Sequence, residues 1–92
     1  MTSDKNLKEN IADIPSDVAD ELLNLKPVQF NMIGAKRLQY GLIAQDVEFT
    51  KLDNIVFQND RGVRSVAYTQ IIPLLILHIQ ALVKRVEELE SR

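Results

Sequence analysis

Gln70-Ile71-Ile72-Pro73-Leu74-Leu75-Ile76-Leu77-His78-Ile79-Gln80-Ala81-Leu82-Val83-Lys84-Arg85-Val86-Glu87-Glu88-Leu89-Glu90 is the stretch that decides the fold. Ile72, Leu75, Ile79, Leu82, Val86 and Leu89 follow alternating steps of three and four. Ile72, Ile79 and Val86 therefore fall at heptad position a, and Leu75, Leu82 and Leu89 at d. That pattern predicts a coiled-coil seam on a helix over about 69–91, roughly 30 Å long at 1.5 Å per residue. By the simplest heptad rule, β-branched residues at a with Leu at d favour two strands. Ile76 and Val83, at e, widen the stripe beyond a strict seam, which suits three helices or docking on a globular neighbour. A stripe packed only within its own chain is the competing reading. Arg85 at g and Glu90 at the following e can pair between parallel helices, a rim contact of about 0 to 1 kcal/mol that mainly sets register.

Upstream, local signals divide about 4–68 into short elements, which predicts an α+β fold of short helices and β-hairpins before the long helix. Pro15-Ser16 announces a helix: Ser16 is placed to cap it, Asp17 and Asp20 suit its positive N-terminal end, and Val18, Leu22 and Leu25 recur at helical spacing. Pro27 stops it. Val28, Phe30 and Met32 then alternate with Gln29 and Asn31, and Gly34-Ala35-Lys36 turns the chain back into Arg37 to Tyr40, a first hairpin. Ala44 to Leu52 is rich in helix formers, which predicts a short helical segment. Ile55 to Gln58 and Val63 to Ala67, separated by Asn59-Asp60-Arg61-Gly62, predict a second hairpin.

Composition bounds the function. Ninety-two residues make one domain with a small core, 46% apolar and without Trp, so association would help it considerably. The net charge is −2, from 11 basic and 13 acidic residues. No Lys/Arg run exceeds two, so no nucleic-acid partner is expected. With no cysteine and a single His78, neither a disulfide framework nor a metal site is expected. No Walker-type glycine loop is present, so no nucleotide or other cofactor is expected. The longest uninterrupted apolar run, Ile71 to Leu77, falls short of the ~20 residues of a membrane helix. A basic-then-apolar leader pattern is also missing. These readings predict a soluble, intracellular chain with no membrane partner.

One pair of residues near the start can carry chemistry. Ser3 and Lys8 flank Asp4 before any periodic segment begins. A serine hydroxyl needs a base to remove its proton, and a lysine amine serves only where burial or a nearby cation lowers its pKa from about 10.4 towards neutrality. Read alone, a Ser-x4-Lys pair is a chance event in a solvated terminal segment.

Four blocks set that pair in a context: Ser3-Asp4-x-x-Leu7-Lys8-Glu9-Asn10-Ile11, Leu25-Lys26-Pro27-Val28-Gln29-Phe30, Gly41-Leu42-Ile43-Ala44-Gln45-Asp46-Val47-Glu48, and Val66-Ala67-Tyr68-Thr69-Gln70-Ile71-Ile72-Pro73-Leu74-Leu75. In this order, over almost the whole chain, they resemble the C-terminal intramolecular chaperone auto-processing domain of phage endosialidase tailspikes, tail fibres and neck appendages. A related domain processes a membrane-bound myelin regulatory factor.

The resemblance implies a homotrimer that trimerises and folds an upstream fibre or spike segment of the same polypeptide and then releases itself. It places the parent protein in the virion tail or an appendage, made in the host-cell cytoplasm. It also implies a single-turnover serine-type peptidase with Ser3 as nucleophile, Lys8 as base and a cut between Ser3 and Asp4. A serine attacking its own carbonyl would pass through a strained four-membered ring, whereas attack on the preceding carbonyl, that of Thr2, passes through a five-membered one. The cut position therefore rests on the resemblance. The hydroxyl of a neighbouring chain, or a water activated by Ser3, would satisfy it, and both make cleavage depend on assembly. Asn6 stands where many members carry Arg. Gln45 is a candidate oxyanion donor, a role that can be worth ~3 kcal/mol. Its alternative role is to satisfy buried backbone. His78 is expected to be an exposed or interfacial polar residue.

Overall fold

The computed structural model describes residues 2–92. In chain order the elements are a short helix α1 (Ser16–Asp20), strands β1 (Val28–Phe30) and β2 (Gln39–Gly41), helix α2 (Ala44–Glu48), strands β3 (Val56–Gln58) and β4 (Arg64–Val66), and the long helix α3 (Ile71–Glu90). The fold is α+β. Single 3-10 turns at Lys5–Leu7, Glu21–Asn24, Asp53–Ile55 and Tyr68–Gln70 join them. Each strand pair is antiparallel: Val28 faces Gly41 in the first, and Val56 faces Val66 in the second.

Short side chains fix the turns. At the first hairpin the Asn31 amide donates to the Ala35 carbonyl at 2.9 Å, and Gly34 takes the left-handed φ of 85° that a side chain would resist. At the second, Asn59 Oδ1 accepts from the backbone N–H of Arg61 (2.9 Å) and of Val63 (3.0 Å), and Gly62 takes φ 78°. Two expectations need correction. Pro15, not Ser16, is the cap residue of α1, and it makes no side-chain cap bond, so Ser16 is the first helical residue. The helix expected over Ala44 to Leu52 stops at Glu48, because Thr50 Oγ1 donates to the Val47 carbonyl at 2.6 Å and accepts from the Leu52 N–H at 3.0 Å, closing a turn of its own.

The core is small. Val47, Leu52, Ile55 and Leu74 are its buried centre, with Val18, Leu22, Leu42, Val66 and Ile71 packed around it. α3 thus enters the core through Leu74 in its first turn and then leaves it. The radius of gyration is 16.6 Å. A compact domain of this length would have about 12 Å, and the projecting helix accounts for the difference. Pro73 is tolerated because the N–H it lacks, in the first helical turn, would have no intrahelical acceptor.

Gly41 holds β2 against the start of α3. A Cβ at this position would lie 2.5 Å from the Tyr68 hydroxyl and 3.3 Å from the Phe30 ring. That hydroxyl accepts from the Leu42 N–H at 2.9 Å, so it cannot move without losing the bond. Gly41→Ala is expected to destabilise the chain by about 1 to 3 kcal/mol through overpacking. Urea titration measures it, and adding Tyr68→Phe, which removes the clashing oxygen, should shrink the increment.

Among the described residues, two ion pairs tie elements together. Arg64 Nε and Glu48 Oε2 lie 2.7 Å apart, joining β4 to α2. On the surface, Lys51 Nζ lies 3.1 Å from Asp17 Oδ2. The hydrogen bond from Lys51, and then its positive charge, hold the Asp17 carboxyl below its ordinary range. A lowered folded-state pKa contributes stability that is present above the unfolded value of about 3.9 and lost as pH falls through the folded value. Lys51→Gln should therefore move the Asp17 titration up towards the ordinary carboxylate range, which carboxyl NMR reads directly. An unchanged Asp17 titration would show that the pair does not persist in solution.

Candidate functional site: the Ser3–Lys8 turn and the apolar face of the long helix

Asp4 builds the first part of the site. Its Oδ1 accepts from the Asn6 N–H at 2.9 Å, and its carbonyl accepts from the Leu7 N–H at 3.1 Å, capping the 3-10 turn Lys5–Leu7. Lys8 N–H then closes on the Lys5 carbonyl at 3.1 Å. One such turn reverses the chain enough for the Lys8 side chain to reach back. Lys8 Nζ lies 2.8 Å from Ser3 Oγ. An ammonium donates this hydrogen bond, and the neutral amine would accept it from the hydroxyl, so the geometry suits the removal of a proton from Ser3.

Ser3, Asp4 and Lys8 are all solvent-exposed in the single chain. Their segment is poorly anchored: Leu7 and Ile11 are 75% and 69% exposed, and the hydrogen bonds of residues 3–8 among the described residues stay within the segment. Asn6 contributes its backbone N–H to the turn, while its side chain makes no hydrogen bond among the described residues. Gln45 lies elsewhere. It is exposed on α2, on the rim of a depression of about 400 Å³ shared with Phe30, Met32, Arg64 and Tyr68. Neither Ser3 nor Lys8 lines that depression, so one chain does not bring Gln45 to the pair.

The second part is the outer face of α3. Every predicted seam residue is exposed, from Val86 at 44% to Leu82 at 64%, and so are Ile76 and Val83. The stripe is therefore not packed within its own chain, which overturns the competing reading. At roughly 100° per residue, the side that meets the domain, centred on Leu74 and His78, lies about 90° from the seam. His78 is half-buried, and its Nε2 bonds the Ala19 carbonyl of α1, a bond that the sequence did not signal. That bond calls for the tautomer with hydrogen on Nε2. By length and overall composition α3 is apolar enough to cross a membrane, contrary to the expectation from its short uninterrupted run. Its apolar residues form a stripe, however, and Lys84, Arg85, Glu87, Glu88 and Glu90 crowd the last two turns.

No curated protein matches the chain. No solved structure matches it either. A family model described as chaperone of endosialidase (Peptidase S74) matches residues 3–56. That span holds the Ser3–Lys8 turn, the first hairpin and α2, and it is narrower than the near-complete resemblance read from the sequence, whose fourth block lies beyond it. The match takes in more than half of the chain, which belongs to the chaperone of endosialidase family.

Proposed function

We propose that this chain is an intramolecular chaperone that gathers three copies of an upstream fibre or spike segment, lets that segment fold, and then cuts itself free once. Membership of the chaperone family supports the assembly role, and the 2.8 Å contact between Lys8 Nζ and Ser3 Oγ is the observation that carries the chemistry. The cut is a hydrolysis. Lys8 takes the Ser3 proton, and an activated oxygen adds to the Ser3 carbonyl carbon. The bond to the Asp4 nitrogen breaks, that nitrogen gains a proton, and Ser3 is left with a carboxylate.

Because Ser3 Oγ reaches its own carbonyl only through a four-membered ring, the oxygen comes from water held by Ser3 or from Ser3 of a neighbouring copy. In the second case an ester forms first and water hydrolyses it. Either route requires the exposed turn to be enclosed by other copies, since a lysine is an effective base only in its neutral form and loses charge on leaving water. Gln45 of a neighbouring chain is the candidate oxyanion donor. Cleavage would thereby wait for assembly, which on this reading takes place in the host-cell cytoplasm during virion assembly.

The test is a longer polypeptide that keeps its own upstream segment, followed on denaturing gels with product masses measured. Two fragments ending and beginning at Ser3 and Asp4 are expected; a permanently full-length trimer would leave assembly without chemistry. One observation favours that second reading, a trimerisation module that does not cleave: the apolar face of α3 stands exposed whether or not Ser3 and Lys8 react.

A further inference from the structure

We infer that the contact between copies is heterologous: Ile76 and Val83 of one copy enter a groove that the next copy builds between its α3 seam and Leu23. The inference rests on the three-copy reading and specifies which surfaces meet. The groove, about 430 Å³, is lined by Leu23 and Asp20 on one wall and by Leu75, Ile79 and Leu82 on the other. Leu23, in the 3-10 turn after α1, is 75% exposed, and no packing within its own chain explains a leucine there.

The second copy is argued as the occupant from the two flanks of one helix. One flank of the seam borders the groove. The other carries Ile76 and Val83, both about half exposed, roughly 100° round the helix from the groove. In parallel copies at equal height these two residues stand about one turn below and above Ile79, the level at which the groove lies. A groove on one flank and a ridge on the other are what a head-to-tail ring requires, because each copy must offer two different complementary surfaces.

Leu23, Ile76, Val83 and the six seam residues expose on the order of 900 Å² per chain, which a ring of three divides between two contacts, about 450 Å² per partner at each.

The chain has no cysteine, so cysteine pairs report cleanly. Leu23→Cys/Val83→Cys, oxidised at native concentration, is expected to give a covalent trimer on a denaturing gel. Each single variant alone should stay uncross-linked, and a mixture of the two single variants should give a covalent dimer. Leu23→Cys/Ile76→Cys is a second pair that guards against one poor disulfide geometry. If sedimentation shows a trimer and neither pair cross-links, the heterologous contact is wrong while the trimer stands. A covalent dimer from a double variant overturns the three-fold arrangement, an open ladder overturns ring closure, and a monomer by sedimentation overturns both readings.

Discussion

Ser3→Ala and Lys8→Ala are each expected to stop release completely in a polypeptide that retains its upstream segment, while leaving the chain trimeric. The separation of folding from chemistry follows from exposure. Neither residue is buried in the chain, and the 3-10 turn that holds them is closed by Asp4 and backbone groups that both variants keep. Removal of a nucleophile or its base typically costs several orders of magnitude in rate, so a single-turnover cut becomes undetectable over hours. With the neutral amine of Lys8 as the proposed base, the rate in the unmodified chain should rise with pH. A carboxylate-dependent cut would instead level off from mildly acidic pH. Mass spectrometry fixes the bond. Lys8→Ala cleaving as fast as the parent would remove the lysine from the mechanism; a parent trimer that never cleaves would favour the assembly module and make Asn6→Arg the first variant to build.

Particular residues show what the sequence made legible. Both hairpins could be read because their reversals rest on local chemistry, Gly34 and Gly62 at positive φ and Asn59 bonding its own loop, which needs nothing distant. The extent of α3 was legible for the same reason, since a period of three and four is a property of one segment. What escaped depended on partners far apart in the chain. Nothing in the region of Gly41 announces that the Tyr68 hydroxyl fills the space of its missing Cβ, nor does His78 declare Ala19 as its acceptor.

The candidate site divides in the same way. Ser3 and Lys8 were legible as a pair only through the family resemblance, since their spacing read alone is a chance event; the contact between them rests on a single turn set by Asp4. Gln45 was not so placed, because its relation to that pair is a question of how copies meet. The groove beside Leu23 was missed altogether. A lone leucine in a short helical stretch reads as core, and only its exposure in the folded chain separates it from Leu22, which does pack on the core.

Replacing Ile79 and Leu82 together by Gln is expected to convert the proposed trimer to monomer at tens of micromolar. The two residues are the central a/d layer of the predicted seam, and both are exposed in the single chain, at 60% and 64%, so the substitutions spare the core centred on Val47, Leu52, Ile55 and Leu74. Full burial of each aliphatic side chain contributes on the order of 1.5 to 3 kcal/mol. Since each side chain is already partly covered, roughly half of that is available on assembly, or about 2 kcal/mol per chain for the pair. Three chains lose it together, about 6 kcal/mol per trimer, which corresponds to a fall of more than four orders of magnitude in the association constant. Sedimentation equilibrium measures the mass. An unmodified chain that is already monomeric at this concentration would sink the trimer, and an unmodified chain that floats with lipid vesicles instead would assign the apolar face of α3 to a membrane. A double variant that remains trimeric would move the interface off α3 altogether. The same variant connects assembly to chemistry. With the upstream segment attached it keeps Ser3, Lys8 and the turn between them, yet it should not cleave, because the proposed mechanism requires neighbouring copies to enclose Lys8.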